Sequence, residues 1–158
     1  MGLDMYLEKN IFIGGCYDDD ISGSCVIKHG PTFEKGRELD IDVKDIASIN
    51  LRVAYWRKAN AIHYWIVENC YSGDYKDYDG NDLYFSETKM KILLDTINDV
   101  LADHKKAEGL LPVKEGFFFG SQEYDKWYFE DLEYTKEVLE KCINDPDPYK
   151  TYYYSASW

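Results

Sequence analysis

Three side chains suited to binding a flat polar molecule recur at a regular spacing in residues 49–70, INLRVAYWRKANAIHYWIVENC. The apolar residues of this segment predict one long helix, on which Trp56, Asn60 and His63 stand at i, i+4 and i+7 and share a face. An indole can stack on a ring, an amide can hydrogen-bond its edge, and an imidazole can donate or accept near neutral pH. The set therefore predicts a site for a planar polar ligand.

Two cations stand beside this set. Arg57 and Lys58 follow the tryptophan, in a chain that has only 18 Lys and Arg against 30 Asp and Glu. Guanidinium and ammonium groups are the usual anchors for phosphate, which makes a nucleotide-like ligand the natural candidate. The alternative is structural: the same side chains could satisfy their polar atoms inside an ordinary core.

A second candidate is the segment GFFFGS at 116–121, where Gly120 and Ser121 lead into a predicted helix over 121–144. Helix N-termini bind phosphate oxygens, but the lysine and the glycine spacing of a phosphate-binding loop are missing. Acidic side chains in the predicted first turn would also repel an anion. A plain N-cap is therefore the favoured role of Ser121, with a ligand contact as the alternative.

Metal and catalytic signatures are sparse. The four cysteines lack zinc spacing and are expected to be free thiols, and the loop DYDGND fails the calcium-loop pattern. The acidic turn at 18–20 is expected to be solvated, with a weak magnesium site as the alternative. No nucleophile elbow, zinc-protease motif or dinucleotide loop occurs. We therefore expect no metal and no cofactor, and His63 is the single candidate for acid or base chemistry.

Composition excludes several classes of protein. The net charge of -12 and the pI near 4.6 argue against direct nucleic-acid binding and against attraction to an anionic membrane. Aromatic residues make up 16% of the chain, which argues against disorder and, where exposed, would favour a homo-oligomer. The start MGLDMYLEKN has no apolar core and no other stretch is long enough to span a bilayer, so we expect a cytoplasmic protein.

The pattern of elements predicts an α+β fold with a small antiparallel sheet packed with three main helices. We expect one domain over 1–158, with a β-hairpin appendage at 10–45. The expected strands are 3–7, 10–16, 24–29, 37–43, 83–85 and the tail after the DPDP at 145–148. The expected helices are 49–70, one capped by Ser86 and stopping near Gly109, and 121–144.

The runs YWRKANAIH and GFFFGSQEYD, with the start MGLDMYL, resemble a family of small proteins encoded by bacteriophages and prophages. The resemblance covers the first strand and the three helices, and implies the cytosol of a bacterial host during infection. The resemblance implies where the protein acts, but it implies no mechanism. Its motif positions fall on both segments above and suggest a ligand site between them. The candidate ligand residues are Trp56, Arg57, Lys58, Asn60, His63, Gly120, Ser121 and Tyr124.

Three functions follow from these observations. The first is an accessory, counter-defence phage protein that binds a nucleotide-like ligand without turnover, for example a host defence nucleotide. The second is an acidic mimic of nucleic acid that inhibits a basic host protein, such as a CRISPR effector nuclease. The third is a small nucleotide-processing enzyme that uses His63, and it ranks last because no second titrating partner stands near it in the sequence.

Overall fold

A computed structural model describes residues 2–12, 24–26, 40–42, 46–114 and 123–158, with the backbone alone for 24–26 and 40–42. Its strands are β1 Asp4–Phe12, β2 Ser24–Val26, β3 Asp40–Asp42, β4 Ser48–Arg57, β5 Leu83–Tyr84 and β6 Lys150–Ser157. Its helices are α1 Asn60–Cys70, α2 Glu87–Ala102, α3 Ala107–Leu110 and α4 Lys126–Ile143. Single 3₁₀ turns lie at Tyr75–Asp77 and His104–Lys106.

The main sheet has the order β4-β1-β6-β5, and all of its pairings are antiparallel. Side chains alternate across β1, so that Met5 and Leu7 are buried while Tyr6 between them is half-buried. Met5 pairs with Trp56 and Leu7 with Ala54 on β4, and these partners are buried too. One face of the sheet therefore forms half of the core.

Helices α1, α2 and α4 supply the other half of the core. Ile62 and Ile66 of α1, Leu93 and Ile97 of α2 and Leu132 of α4 are all essentially inaccessible to solvent. Ile62 and Ile66 are four residues apart, as are Leu93 and Ile97, which places each pair on one helical face. The predicted α+β class, with a small antiparallel sheet packed by helices, is confirmed.

The first half of the helix predicted over 49–70 is wrong. Residues 48–57 form strand β4, and the helix begins only at Asn60. The segment SINLRVAYWR is rich in β-branched and aromatic residues, and its alternation also fits a strand. Pairing with β1 satisfies its backbone, and this tertiary interaction decides between the two patterns. Trp56 therefore lies on a strand, so the helix face that was to unite it with Asn60 and His63 does not exist.

The start of the third helix is also corrected. Helix α4 begins at Lys126 after Asp125, whose carboxylate accepts a hydrogen bond of 3.0 Å from the backbone N–H of Tyr128. The prediction that Ser121 caps this helix is wrong, because Asp125 is an equally good cap and stands next to the buried stripe. Gly120 and Ser121 lie outside the described residues.

The second helix has the predicted cap and an earlier end. The hydroxyl of Ser86 accepts a hydrogen bond of 3.3 Å from the N–H of Lys89, as expected of an N-cap. Helix α2 stops at Ala102 instead of near Gly109, and the short helix α3 holds the glycine. The side chain of Asp103 accepts from Lys105 N and opens a 3₁₀ turn there, which ends the α-helix.

Several local predictions are confirmed and others fall outside the described residues. The strands predicted at 83–85 and in the tail are β5 and β6, and Cys70 and Cys142 are free thiols. In the predicted appendage at 10–45, residues 10–12 continue β1 and β2 pairs with β3. Residues 13–23, which hold the acidic turn, lie outside the described residues. Among the described helices, none is long and apolar enough to cross a membrane.

Candidate functional site

A cavity of about 330 Å³ opens between the β4–α1 connection and the first turns of α4. Residues 57–62 line one side of it, and residues between 123 and 132 line the other. Val113, from the segment after α3, completes the described lining. The two walls are far apart in the sequence and meet because α4 packs beside the end of β4.

The connection between β4 and α1 is a tight turn centred on Lys58. Its φ of 64° lies in the left-handed region, which costs a residue with a Cβ about 1 kcal/mol. Two hydrogen bonds of 2.8 Å hold it there: Lys58 N donates to Leu3 O, and Asn60 N donates to Lys58 O. The turn brings Arg57, Lys58 and the start of α1 to the same wall of the cavity. Strained backbone of this kind is frequent at binding sites.

The N-terminus of α1 at this wall carries no side-chain cap. Its N-cap residue is Ala59, and its first turn holds no acidic residue. The N–H groups of Ala61 and Ile62 have no acceptor among the described residues. Both residues line the cavity beside Arg57 and Lys58. Unpaired N–H groups, the positive end of a helix dipole and two cations together favour an anion on this side.

Asn60 fixes the first turn of this helix. Its Oδ1 accepts a hydrogen bond of 3.0 Å from the backbone N–H of Lys114, and the residue is buried. The contact ties α1 to the segment that follows α3 and thereby shapes one corner of the cavity. Asn60 is the first residue of the helix, where its low propensity for a helix interior matters little.

The opposite wall carries carboxyl groups. Asp125 is committed to the cap of α4 through one oxygen, while Asp131 lies in the second turn and also lines the cavity. Burial, followed by the charges of Asp125 and Glu130, raises the pKa of Asp131 to about 6. No described residue donates a hydrogen bond or an ion pair to its carboxyl group. The cavity is therefore cationic on one side and acidic on the other.

Two aromatic residues frame the acidic wall. Tyr128 is buried, and its hydroxyl donates a hydrogen bond of 2.9 Å to Leu111 O, which fixes its ring. Trp127 lies at the mouth with 70% of its surface exposed, far more than is usual for an indole. An exposed indole beside a cavity is a ready surface for stacking a planar group.

Trp56 and His63, which sequence analysis placed in the ligand site, lie in the core and do not line the cavity. Trp56 donates from Nε1 to Thr135 Oγ1 at 2.9 Å. His63 is 1% exposed, and its Nδ1 lies 2.7 Å from the hydroxyl of Tyr154. Burial lowers the pKa of His63 to about 4, so the imidazole is neutral at physiological pH.

Rings surround this imidazole on several sides. Those of Tyr75, Tyr78, Tyr154 and Trp158 have centroids 5.8 to 6.1 Å from it. A neutral imidazole enclosed in this way is suited to packing and has no described opening toward the cavity. His63 therefore lies inside an ordinary core, which was the alternative to a ligand contact.

Of the predicted ligand residues, the structure brings Arg57, Lys58 and Asn60 to the cavity. Tyr124 does not line it, although its ring packs edge-on against Tyr128 at 5.0 Å. Gly120 and Ser121 lie outside the described residues. The predicted ligand residues do not include the acidic and aromatic wall, which comprises Glu123, Asp125, Trp127, Tyr128, Asp131 and Leu132.

A signal for this wall was present in the sequence. In a helix, Asp125, Tyr128 and Leu132 follow one another at i, i+3 and i+7 and share a face, and Asp131 adjoins it. An acidic residue beside a buried stripe is unusual enough to mark a candidate site. The sequence does not indicate that this helix face lies opposite the turn centred on Lys58.

No group of three or more His, Cys, Asp and Glu side chains in the described ranges is arranged to hold a metal ion. Comparisons with known proteins add no relatives: no family model matches the chain, and neither a curated protein nor a solved structure matches it significantly.

Proposed function

We propose that the protein binds a nucleotide-like ligand in this cavity without turning it over. The observation that carries the proposal is the segregation of charge within one cavity of about 330 Å³. Arg57, Lys58 and the uncapped start of α1 form one wall, and Asp131 stands on the other. This size lies at the small end of ligand sites, which suits a mononucleotide better than a larger ligand.

The cationic wall supplies what a phosphate requires. A guanidinium offers several N–H donors, an ammonium offers three, and the N–H groups of Ala61 and Ile62 add two backbone donors. The chain as a whole is strongly acidic, so a basic wall is not a consequence of its average composition. Phosphate binding at this wall explains why the helix begins without an acidic side chain in its first turn.

The aromatic residues supply what a base requires. The exposed ring of Trp127, whose centroid lies 5.8 Å from Lys126 Nζ, offers a stacking surface at the mouth. Leu132 and Val113 give the cavity apolar surface. Binding without turnover is supported by the position of His63, the residue predicted for acid or base chemistry, which is enclosed among aromatic rings and does not line the cavity. One oxygen of Asp125 is committed to the helix cap.

Two acids of α2 and α4 pair with lysines one turn away, Lys91–Glu87 at 2.6 Å and Lys126–Glu130 at 2.9 Å. On α4, however, Glu130, Glu133, Glu137 and Glu140 stand at i, i+3, i+7 and i+10 and share a face. A face of carboxylates is what a mimic of nucleic acid requires, so mimicry stays the second candidate function. The resemblance to phage-encoded proteins adds a setting to the proposal, in which capture of a host defence nucleotide would protect an infecting phage.

Isothermal titration calorimetry with GMP and AMP tests the proposal. The wild type is expected to bind at least one of them, and the double variant Arg57→Ala, Lys58→Gly is expected to lose at least about tenfold in affinity. Lys91→Ala, which removes an exposed cation from α2, is the matched control and is expected to bind as the wild type does. Equal binding by all three proteins, or no binding by the wild type, would contradict the proposal.

A further inference from the structure

Asp131 is half-buried, and its carboxyl group has no partner among the described residues. It lines the cavity from the second turn of α4, and no described side chain or backbone N–H donates to it. Burial raises the pKa of its carboxyl group, and the charges of Asp125 and Glu130 raise it further. A ligand that fills the cavity would displace the water around this carboxyl group and would have to supply hydrogen-bond donors in its place.

The position of Asp131 separates it from the phosphate end. Arg57 and Lys58 line the same cavity, yet no ion pair of 4.0 Å or less joins either of them to Asp131. A ligand that places its anion against the cations therefore presents its other end to the carboxyl group. For a nucleotide, this other end is the edge of the base.

We propose that Asp131 selects a base that offers two adjacent N–H donors, as the N1 and N2 edge of guanine does, so that the site prefers guanine nucleotides. The inference rests on the function proposed above. The two oxygens of a carboxylate accept two parallel donors. Adenine instead presents one amino donor beside the lone pair of N1, which would face an oxygen of the carboxylate. Hypoxanthine offers N1–H without the amino group at C2, so we expect its nucleotide to bind with an affinity between those of guanine and adenine nucleotides.

The same geometry explains why an amide would change the preference. An asparagine at this position keeps one acceptor and gains donors, which matches the donor and acceptor pair of adenine. Asp131→Asn should therefore shift the preference toward adenine without changing the shape of the cavity. If Asp131 had a merely structural role, Asp131→Asn would weaken the binding of guanine and adenine nucleotides alike.

The experiment is isothermal titration calorimetry of GMP, IMP and AMP with the full chain, its Asp131→Asn variant and the control Asp95→Asn, an exposed acid on α2. We expect the wild type and D95N to bind GMP at least about tenfold more tightly than AMP, with IMP between them. We expect D131N to lose this preference, through weaker GMP binding and unchanged or tighter AMP binding.

The outcomes separate the two proposals. Equal binding of GMP and AMP by the wild type overturns the inference and leaves the proposed function standing. A preference for GMP that D131N retains also overturns it. No binding of any of the three nucleotides overturns the proposed function and the inference together. A melting curve of D131N confirms that any loss of GMP binding comes from a folded protein.

Discussion

The indole N–H of Trp56 on β4 donates a hydrogen bond of 2.9 Å to Thr135 Oγ1 on α4, and both residues are buried. The same hydroxyl donates at 2.6 Å to the carbonyl oxygen of Asp131, one turn earlier on the helix. This relay connects the strand that ends in Arg57 to the helix that carries the acidic wall. It therefore helps to set the distance between the two walls of the cavity.

Thr135→Val is expected to destabilise the fold by about 1–3 kcal/mol, because it leaves the indole N–H buried without an acceptor. Urea unfolding measures the change. Thr96→Val is the matched control, since the hydroxyl of Thr96 also donates to the carbonyl oxygen four residues earlier but accepts from no indole. Equal stabilities for the two variants would show that the Trp56 contact contributes nothing.

His63 is expected to make the fold sensitive to acid. Its pKa is lowered to about 4 in the folded chain, against about 6.5 when unfolded, because burial disfavours the imidazolium. A lowered folded-state pKa gives a contribution that is complete above pH 6.5 and lost as the pH falls toward 4, amounting to about 3 kcal/mol at most. Replacement by phenylalanine removes this dependence.

Unfolding free energies of the wild type and His63→Phe, measured between pH 7 and pH 4, test this prediction. The exposed His104→Gln is the control for the loss of an imidazole. The wild type and H104Q should lose stability faster than H63F across this range. Parallel curves for all three proteins would contradict the assignment.

Asp131 is expected to reduce the stability of the ligand-free protein. Its pKa is raised to about 6 by burial, so its contribution is complete below the unfolded value near 3.8 and is lost as the pH rises through 6. Asp131→Asn should therefore stabilise the fold at pH 7, by ~1–2 kcal/mol after allowance for its partial exposure to solvent.

The pH dependence distinguishes this cause from a simple packing effect. The gain from D131N should shrink as the pH is lowered from 7 to 4, where the carboxyl group of the wild type is also neutral. Chemical unfolding at both pH values measures it. A gain that does not change with pH would mean that the carboxylate is not penalised by burial.

The left-handed backbone of Lys58 gives a prediction that separates charge from conformation. Lys58→Gly should be more stable than Lys58→Ala by about 1 kcal/mol, because only glycine adopts a φ of 64° without strain. At Lys91, inside α2, Lys91→Ala should instead be more stable than Lys91→Gly by a similar amount. Thermal melting of the four variants measures both differences, and a K58A more stable than K58G would refute the strain.

Local signals predicted part of this fold well. The cap at Ser86 and the stripe of α2 are recognisable in the sequence because they depend on residues a few positions apart. The segment before Asn60 was wrongly predicted to be helical. Its apolar pattern fits both the two-residue period of a strand and the 3.6-residue period of a helix. Only the antiparallel pairing with β1, which lies far away in the sequence, decides in favour of the strand.

The candidate site was predictable on one side only. The cations of Arg57 and Lys58 and the amide of Asn60 were identified by side-chain chemistry, although for a helix that begins later than expected. The role of Asp131 depends on the lack of a donor among the described residues around it, which is a property of the packed structure. No spacing in the sequence reports such an absence.

Ligand binding at the cationic wall is best measured by titration of the whole chain with GMP at neutral pH, with the wild type beside the double variant Arg57→Ala, Lys58→Gly. We expect saturable binding of one nucleotide per chain by the wild type and at least about tenfold weaker binding by the variant. Undiminished binding by a folded variant, or a wild type that gives no heat at millimolar GMP, would contradict this expectation.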